Sequence, residues 1–276
     1  MNTLDTLLTI VVPVKNEERN LTDCLESVKD FVHVVIVDSG STDATCNIAA
    51  RYGREVVQFK WDGRFPKKRN WMLRNYKFKT PWVMFLDADE RMTDVFKNEV
   101  AKTLPDTKFT VFYVCLNNWF MGKLLKHGKV PKKTAVVKLG YGEYEHIEEN
   151  SWSKLDMEVH EHILPFNDGV CGTIKGRLEH FDRRNLSSYY EKHNQYSDWC
   201  AYRALALKDF SHLPWWQKLH FRLIENKLLP YIYFFHSYIW HFGFLDGAAG
   251  YYFALAKFMV IFQTQAKIAE IRAGRA

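Results

Sequence analysis

Long uninterrupted apolar runs are missing from this 276-residue chain, although 47% of it is hydrophobic and 16% aromatic. Its two most apolar stretches, residues 228–240 and 251–262, are interrupted or bounded by Pro230, His236, Asp246 and Lys257. Neither reaches the roughly 18–20 residues that a bilayer-spanning helix needs. Cysteine is also sparse. Cys24, Cys46, Cys115, Cys171 and Cys200 show no paired Cys-x-x-Cys spacing, which argues against a zinc site or a disulfide framework and for a reducing compartment. The first residues lack a basic segment ahead of an apolar run, so no signal peptide is expected and the body is expected to be cytoplasmic. There is no internal repeat, no low-complexity segment, and no glycine-rich basic loop near the N-terminus of the kind a nucleotidyltransferase would call for.

Net charge is absent from the first two-thirds and positive in the last third. Residues 1–182 hold 26 Lys/Arg and 26 Asp/Glu, whereas residues 183–276 hold 12 against 6, so the net charge of +6 is C-terminal. Interleaved with Trp, Tyr and Phe, that excess suits an anionic membrane surface or another phosphate-rich partner. The apolar stretches beside it are more than an RNA-binding face needs, so no nucleic acid partner is expected. Helices of this length and composition lie in a membrane interface, pack on their own domain, or span; the length rules favour the first.

The first hundred residues alternate between two periodicities. Apolar β-branched runs at 7–14, 32–37, 55–59 and 82–86 predict strands, and residues 17–29, 42–52, 66–76 and 93–104 predict helices, with Ser41 and Thr93 as caps. Near-continuous apolar strands alternating with helices predict a doubly wound, mostly parallel α/β sheet covered on both faces. Residues 106–184 read as mixed strands and loops, and residues 185–276 as a helical, aromatic and basic extension. The predicted division is therefore 1–184, with halves 1–105 and 106–184, followed by 185–276.

Ligands of such sheets bind beyond the carboxyl ends of the strands, where three polar clusters fall: Lys15-Asn16-Glu17, Asp38-Ser39-Gly40 and Asp87-Ala88-Asp89. Two carboxylates two residues apart at a strand end are hard oxygen ligands suited to Mg²⁺ or Mn²⁺ bound through a diphosphate. The alternative is that Asp89 and Glu90 only cap the next helix. Asp38 is read either as turn chemistry or as an acceptor for a base N–H. Lys68 could assist a leaving group, although a Lys67-Lys68-Arg69 run is usually a solvated face.

Taken together, TIVVPVKNEERNL, VVIVDSGSTDAT, KKRNWML and VMFLDADE resemble the family 2 glycosyltransferases in order and spacing. The later segments VHEHILPFNDGVCGTIKGRLEHF and GFLDGAAGYYFA resemble a subgroup that includes bacterial lipopolysaccharide-core glucosyltransferases. The resemblance implies a GT-A type nucleotide-binding fold and an inverting hexosyl transfer from a UDP-sugar donor, UDP-glucose by preference, with a divalent metal cofactor. It implies Pro13, Asn16 and Glu17 near the nucleoside, Asp38 near the base, and Arg69 and Asn70 near the ribose or diphosphate. Asp87 would lie on the ribose and sugar side, Asp89 and His180 would serve as metal ligands, and Glu161 as catalytic base. The implied acceptor is a glycolipid or oligosaccharide at the cytoplasmic face of the inner membrane, approached through the C-terminal helices; the oligomeric state stays open. Rival readings are a non-catalytic nucleotide-sugar-binding scaffold, and a transferase using UDP-GlcNAc, UDP-Gal or GDP-Man.

Overall fold

The computed structural model describes residues 3–147, 162–166, 169–207 and 215–274. The chain divides into two compact units. The first comprises Met1–Trp119, Val130–Asn150 and Lys154–Arg183; the second comprises Phe120–Lys129, Ser151–Ser153 and Arg184–Ala276.

In the first unit, strands β1 (Leu8–Val14), β2 (Val34–Asp38), β3 (Glu55–Gln58) and β4 (Trp82–Phe85) alternate with helices α1 (Leu21–Ser27), α2 (Thr45–Arg51) and α3 (Lys68–Asn75). They form a parallel block in the order β3-β2-β1-β4. Alternation along β1 shows why its apolar run is continuous. Ile10, Val12 and Val14 pack on one face with Leu21 and Leu25 of α1, while Val11 packs on the other with Val35, Phe85 and Met72. Both faces are covered, so a polar residue at any of these positions would be buried without a partner.

After β4 come β5 (Glu90–Arg91), α4 (Asp94–Thr103), β6 (Val111–Phe120), β7 (Lys123–Leu124), β8 (Lys132–Lys138), β9 (Gly142–Tyr144), β10 (Ile163–Pro165) and β11 (Cys171–His180). The sheet continues from β4 as β8-β6-β11-β5, with β8 antiparallel to both neighbours, β11 parallel to β6, and β5 antiparallel to β11. The α/β class of GT-A type is the one expected; the first four strands are parallel, β11 runs parallel to β6, and β8 and β5 add the antiparallel ladders. Strand β8 enters between β4 and β6 and runs against both, so this half of the sheet mixes ladder directions.

The helices are shorter than expected. Helix α1 begins at Leu21 because residues 17–20 form a turn in which the Glu17 carbonyl accepts from the amides of Asn20 and Leu21. Ser41 does not cap α2: it bonds Asp38, and the Asp43 carboxylate accepts from the Thr45 amide instead. Thr93 does cap α4, accepting from the Phe96 amide at 3.1 Å. Strand β11 bulges between Ile174 and Arg177, and the released amides of Lys175 and Gly176 donate to Glu99 of α4 at 2.9 and 2.6 Å.

In the second unit, α5 (Leu186–Ala206), α6 (Trp215–Leu223), α7 (Leu229–Phe235) and α8 (Gly247–Arg272) enclose a small core of Ala201, Ile224, Leu229, Ile261 and Ile268. Lys267 of α8 donates to the Asn194 carbonyl and the Ser197 hydroxyl of α5 and pairs with Asp198 at 2.6 Å. The sequence divided the last third into two broken apolar stretches. Instead α8 is continuous for 26 residues, and Gly243–Arg272 contains a window long and apolar enough to cross a membrane by length and composition, with 33% of that window buried. One lysine, Lys257, interrupts the pattern without breaking the helix, since Lys is a good helix former.

At Gly176 a β-carbon would stand 2.9 Å from the Phe96 Cα. Gly176→Ala should therefore lower stability by about 1–3 kcal/mol, read as a drop in the urea midpoint at unchanged slope; an unchanged midpoint would show that α4 can withdraw from the bulge.

Candidate active site

Strand order explains how residues far apart in the chain meet. To leave β4 and pair with β11, the segment Leu86-Asp87-Ala88-Asp89 must cross the ends of β8 and β6. The antiparallel register of β4 and β8 pairs Val83 with Val137 and Met84 with Val136; carried three residues further, it sets Lys133 opposite Asp87. Lys133 Nζ donates to Asp87 Oδ2 at 2.6 Å and lies 2.7 Å from Glu90 Oε2. On the other carboxylate oxygen, Arg69 of α3 donates to Oδ1 at 2.6 Å.

This cluster is strongly asymmetric in charge. Burial alone would raise the Asp87 carboxyl, but Lys133 and Arg69 hold it well below the usual carboxylate range. Glu90, almost fully buried, is raised instead, because desolvation and its acidic neighbours outweigh Lys133. The ammonium of Lys133 is pushed upward by Asp87 and Glu90 against the effect of burial. Lys133 was not legible as a site residue: Lys132-Lys133 at a strand start reads as a surface pair, and only the β4–β8 register singles it out.

Two residues on from Asp87, the Asp89 carbonyl accepts from the Phe181 amide at 2.9 Å, tying the segment to the end of β11. That brings Asp89 Oδ2 within 3.6 Å of His180 Nε2. The other ring nitrogen, Nδ1, lies 2.9 Å from Asn118 Oδ1. With the amide oxygen accepting, Nδ1 carries a proton, and Nε2 is the ring nitrogen that faces Asp89. Two donors sharing a divalent cation at about 2.1 Å each stand about 3–4 Å apart, and the observed 3.6 Å falls inside that span. Asp89 and His180 thus fit a cation. Among the described residues no group of three or more His, Cys, Asp or Glu side chains extends the pair.

A second network joins the ends of β1 and β2. Asn16, at φ 55°, accepts the Thr42 amide on its side-chain oxygen, and its own amide donates to Ser41 Oγ. The Glu17 amide donates to Thr45 Oγ1, and the Glu17 carboxylate accepts from Asn20 at 2.8 Å. Asp38 is buried; desolvation would raise it, but the hydroxyl and amide of Ser41 hold it below the usual range. In this structure its carboxylate therefore closes its own turn. Pro13 is half-buried in β1, opposite Val37.

The basic run at the start of α3 is not a solvated face. Lys67 and Lys68 are each 5% exposed. Lys68 Nζ donates to the Val14 carbonyl at 3.1 Å, fixing α3 to the end of β1. Asn70 has its amide donating to the Tyr144 carbonyl at 2.9 Å and its oxygen accepting the Tyr144 amide at 2.8 Å, so it holds β9 in place. The Tyr144 ring in turn lies 5.1 Å from the Arg69 guanidinium. Strand β9 pairs with β10, and the Glu145 amide donates to the His162 carbonyl. Glu161 itself lies outside the described residues; the residue after it, His162, is held by that bond beside β9.

The glycosyl transferase family 2 profile matches residues 9–175. The chain belongs to this family. It is 27% identical over 272 residues to the lipopolysaccharide core biosynthesis glycosyltransferase LpsC of Rhizobium meliloti, covering 92% of this chain and 88% of LpsC. It is 33% identical over 98 residues to the glycosyltransferase SunS of Bacillus subtilis, covering 34% of this chain and 23% of SunS. Among solved structures it is similar to S. aureus TarS 1-349 in complex with UDP-GlcNAc, at 17% identity and a TM-score of 0.49 over 98% of this chain and 92% of that one. This family 2 protein is thus a glycosyltransferase resembling lipopolysaccharide-core enzymes.

Because the folded-state carboxyl of Asp87 is depressed, the stability it supplies is in force above about pH 4, the unfolded carboxylate value, and is lost as pH falls below it. Lys133→Met should cost about 1.5–3 kcal/mol at neutral pH and flatten that acid limb in urea unfolding followed against pH. An acid limb identical to the parent's would remove Lys133 as the partner of Asp87.

Proposed function

We propose that this glycosyltransferase moves a hexose, glucose from UDP-glucose by preference, onto a lipopolysaccharide-core or lipid-linked saccharide acceptor at the cytoplasmic face of the inner membrane, with inversion at the transferred carbon. The observation that carries the reading is the row Arg69, Lys133, Asp87, Asp89 and His180 along one sheet edge. Two cations are already gathered there beside a carboxylate–imidazole pair, an arrangement suited to a departing nucleoside diphosphate. The acceptor class follows the likeness to LpsC over most of both chains, and the donor class follows the resemblance of the sequence motifs to family 2.

In this reading Arg69 and Lys133 exchange part of their pairing with Asp87 for donor phosphate oxygens, while Asp87 turns toward the ribose and sugar. Asn16, Glu17 and Pro13 border the nucleoside, and Asp38 holds the turn over which the base lies. Lys68 and Asn70 act through the backbone, keeping α3, β1 and β9 in register beneath the donor. Asp89 and His180 would hold Mg²⁺ or Mn²⁺; when bound, that cation neutralises charge developing on the diphosphate. Glu161 accepts the proton of the attacking acceptor hydroxyl.

Glu161→Gln should leave UDP binding intact and lower transfer by on the order of a hundredfold or more, measured as sugar incorporation; near-parental turnover would remove Glu161 as the base. Asp89→Ala and His180→Ala should each abolish the Mn²⁺-dependent part of UDP affinity in calorimetry, and unchanged affinity in both would refute the cation pair. A donor comparison across UDP-glucose, UDP-galactose, UDP-N-acetylglucosamine and GDP-mannose tests the sugar. Persistent nucleotide-sugar binding with no release of UDP toward any acceptor would favour a scaffold.

A further inference from the structure

The proposed site residues all belong to the first unit, and the second carries an exposed apolar surface of its own. Between α7 and α8 the chain makes a π-helical turn, His236–Trp240, and a single 3₁₀ turn, Gly243–Asp246. These turns leave large apolar side chains in solvent: Trp240 is 70% exposed, and Phe242 and Leu245 57% each. Phe242 adopts φ 58°, a left-handed conformation that bulky residues rarely accept. Surroundings must hold it there. Ile239 and Phe244 are exposed beside it.

The same turn is joined to a cationic loop from a distant part of the sequence. Asp246, 3% exposed, accepts from the backbone amides of Lys126 and His127 at 3.1 and 2.9 Å and contacts His127 Nδ1 at 3.1 Å. Its carbonyl accepts from Lys123 Nζ at 2.7 Å, and the Gly128 amide donates to the His241 carbonyl at 2.8 Å. These bonds hold loop 123–129 against turn 239–245 while leaving Lys126 and Lys129 exposed. From residue 227 to residue 262 Asp246 is the only acid, and its charge is consumed in this clamp. Among the described residues, the result is a cluster of exposed aromatic and aliphatic side chains beside the exposed Lys126 and Lys129, in a stretch whose one acid is buried. Amphipathic segments with that composition seat apolar groups at the acyl boundary and cations against anionic headgroups.

We propose that turn 239–245 and loop 123–129, locked together by Asp246, form one docking surface for an anionic phospholipid bilayer. Trp240, Phe242 and Leu245 enter the interface, and Lys126 and Lys129 meet the headgroup phosphates. The C-terminal helices alone are then an incomplete anchor, since the loop supplies the headgroup contacts. The inference deepens the reading of a membrane-borne acceptor and rests on it for its purpose, but vesicle binding is measured without any donor or acceptor.

The full chain is sedimented with vesicles of phosphatidylcholine alone and with vesicles containing about one-third phosphatidylglycerol, at low and high salt. The parent should prefer the anionic vesicles and release as salt rises. Trp240→Ser with Phe242→Ser should weaken binding at all salt concentrations by on the order of tenfold or more. Lys126→Glu with Lys129→Glu should remove the anionic preference, about fivefold per lysine at low salt. Transfer to a water-soluble saccharide acceptor should be unchanged in both variants, which also reports that they fold. Equal binding to both vesicle types, or parental binding by both double variants, overturns the proposal. So does an oligomer in sedimentation velocity that the Trp240→Ser, Phe242→Ser variant disperses with vesicle binding unaltered, since the surface would then belong to a second copy. If no acceptor is glycosylated while the vesicle pattern holds, the transfer reading fails and the docking surface stands.

Discussion

The site depends on one shared carboxylate. Asp87 lies where the chain leaves β4 and crosses two strand ends to reach β11, and its two oxygens are taken by cations from different elements, Arg69 of α3 and Lys133 of β8. Removing either cation would leave one oxygen of this partly buried carboxylate without its charged partner, at a point where no regular ladder holds the backbone. With both present, the crossing segment is held at Asp87, and its pairing with β11 then sets Asp89 beside His180.

Around this joint the structure spends several polar side chains on backbone. Lys68 caps the end of β1, Asn70 pins β9 through both its oxygen and its amide, and Asp38 closes the turn after β2. Each is the kind of residue that suggests ligand contact when seen in a motif. Their bonds go to the backbone of the segments around the Asp87 and Asp89 pairs. The same device recurs in the second unit, where Asp246 organises a loop and a turn that are more than a hundred residues apart.

Much of the architecture was legible from periodicity. The four parallel strands, Thr93 as the α4 cap and the helical last third all follow from local chemistry: β-branched apolar runs, a hydroxyl before a helix, and a 3.6-residue pattern. The misses have local causes too. Ser41 looked like a cap but had a closer acceptor in Asp38, and a single lysine in 251–262 was not enough to break α8. The basic run 67–69 read as a solvated face because sequence alone does not show that β1 and β9 offer it carbonyl and aromatic partners.

What the sequence determined by itself was the inventory and its order: which carboxylates end strands, which motifs resemble family 2, and where the basic, aromatic third begins. Those features are written in residue type and spacing along the chain. Tertiary structure alone decided which groups meet. Lys133 reaches Asp87 through an antiparallel register, His180 reaches Asp89 through the pairing of β11 with a two-residue strand, and loop 123–129 reaches Asp246 across a gap in sequence. Such encounters depend on how strands are ordered in a sheet and how helices close on a core, and neither order is encoded in the spacing of any one segment.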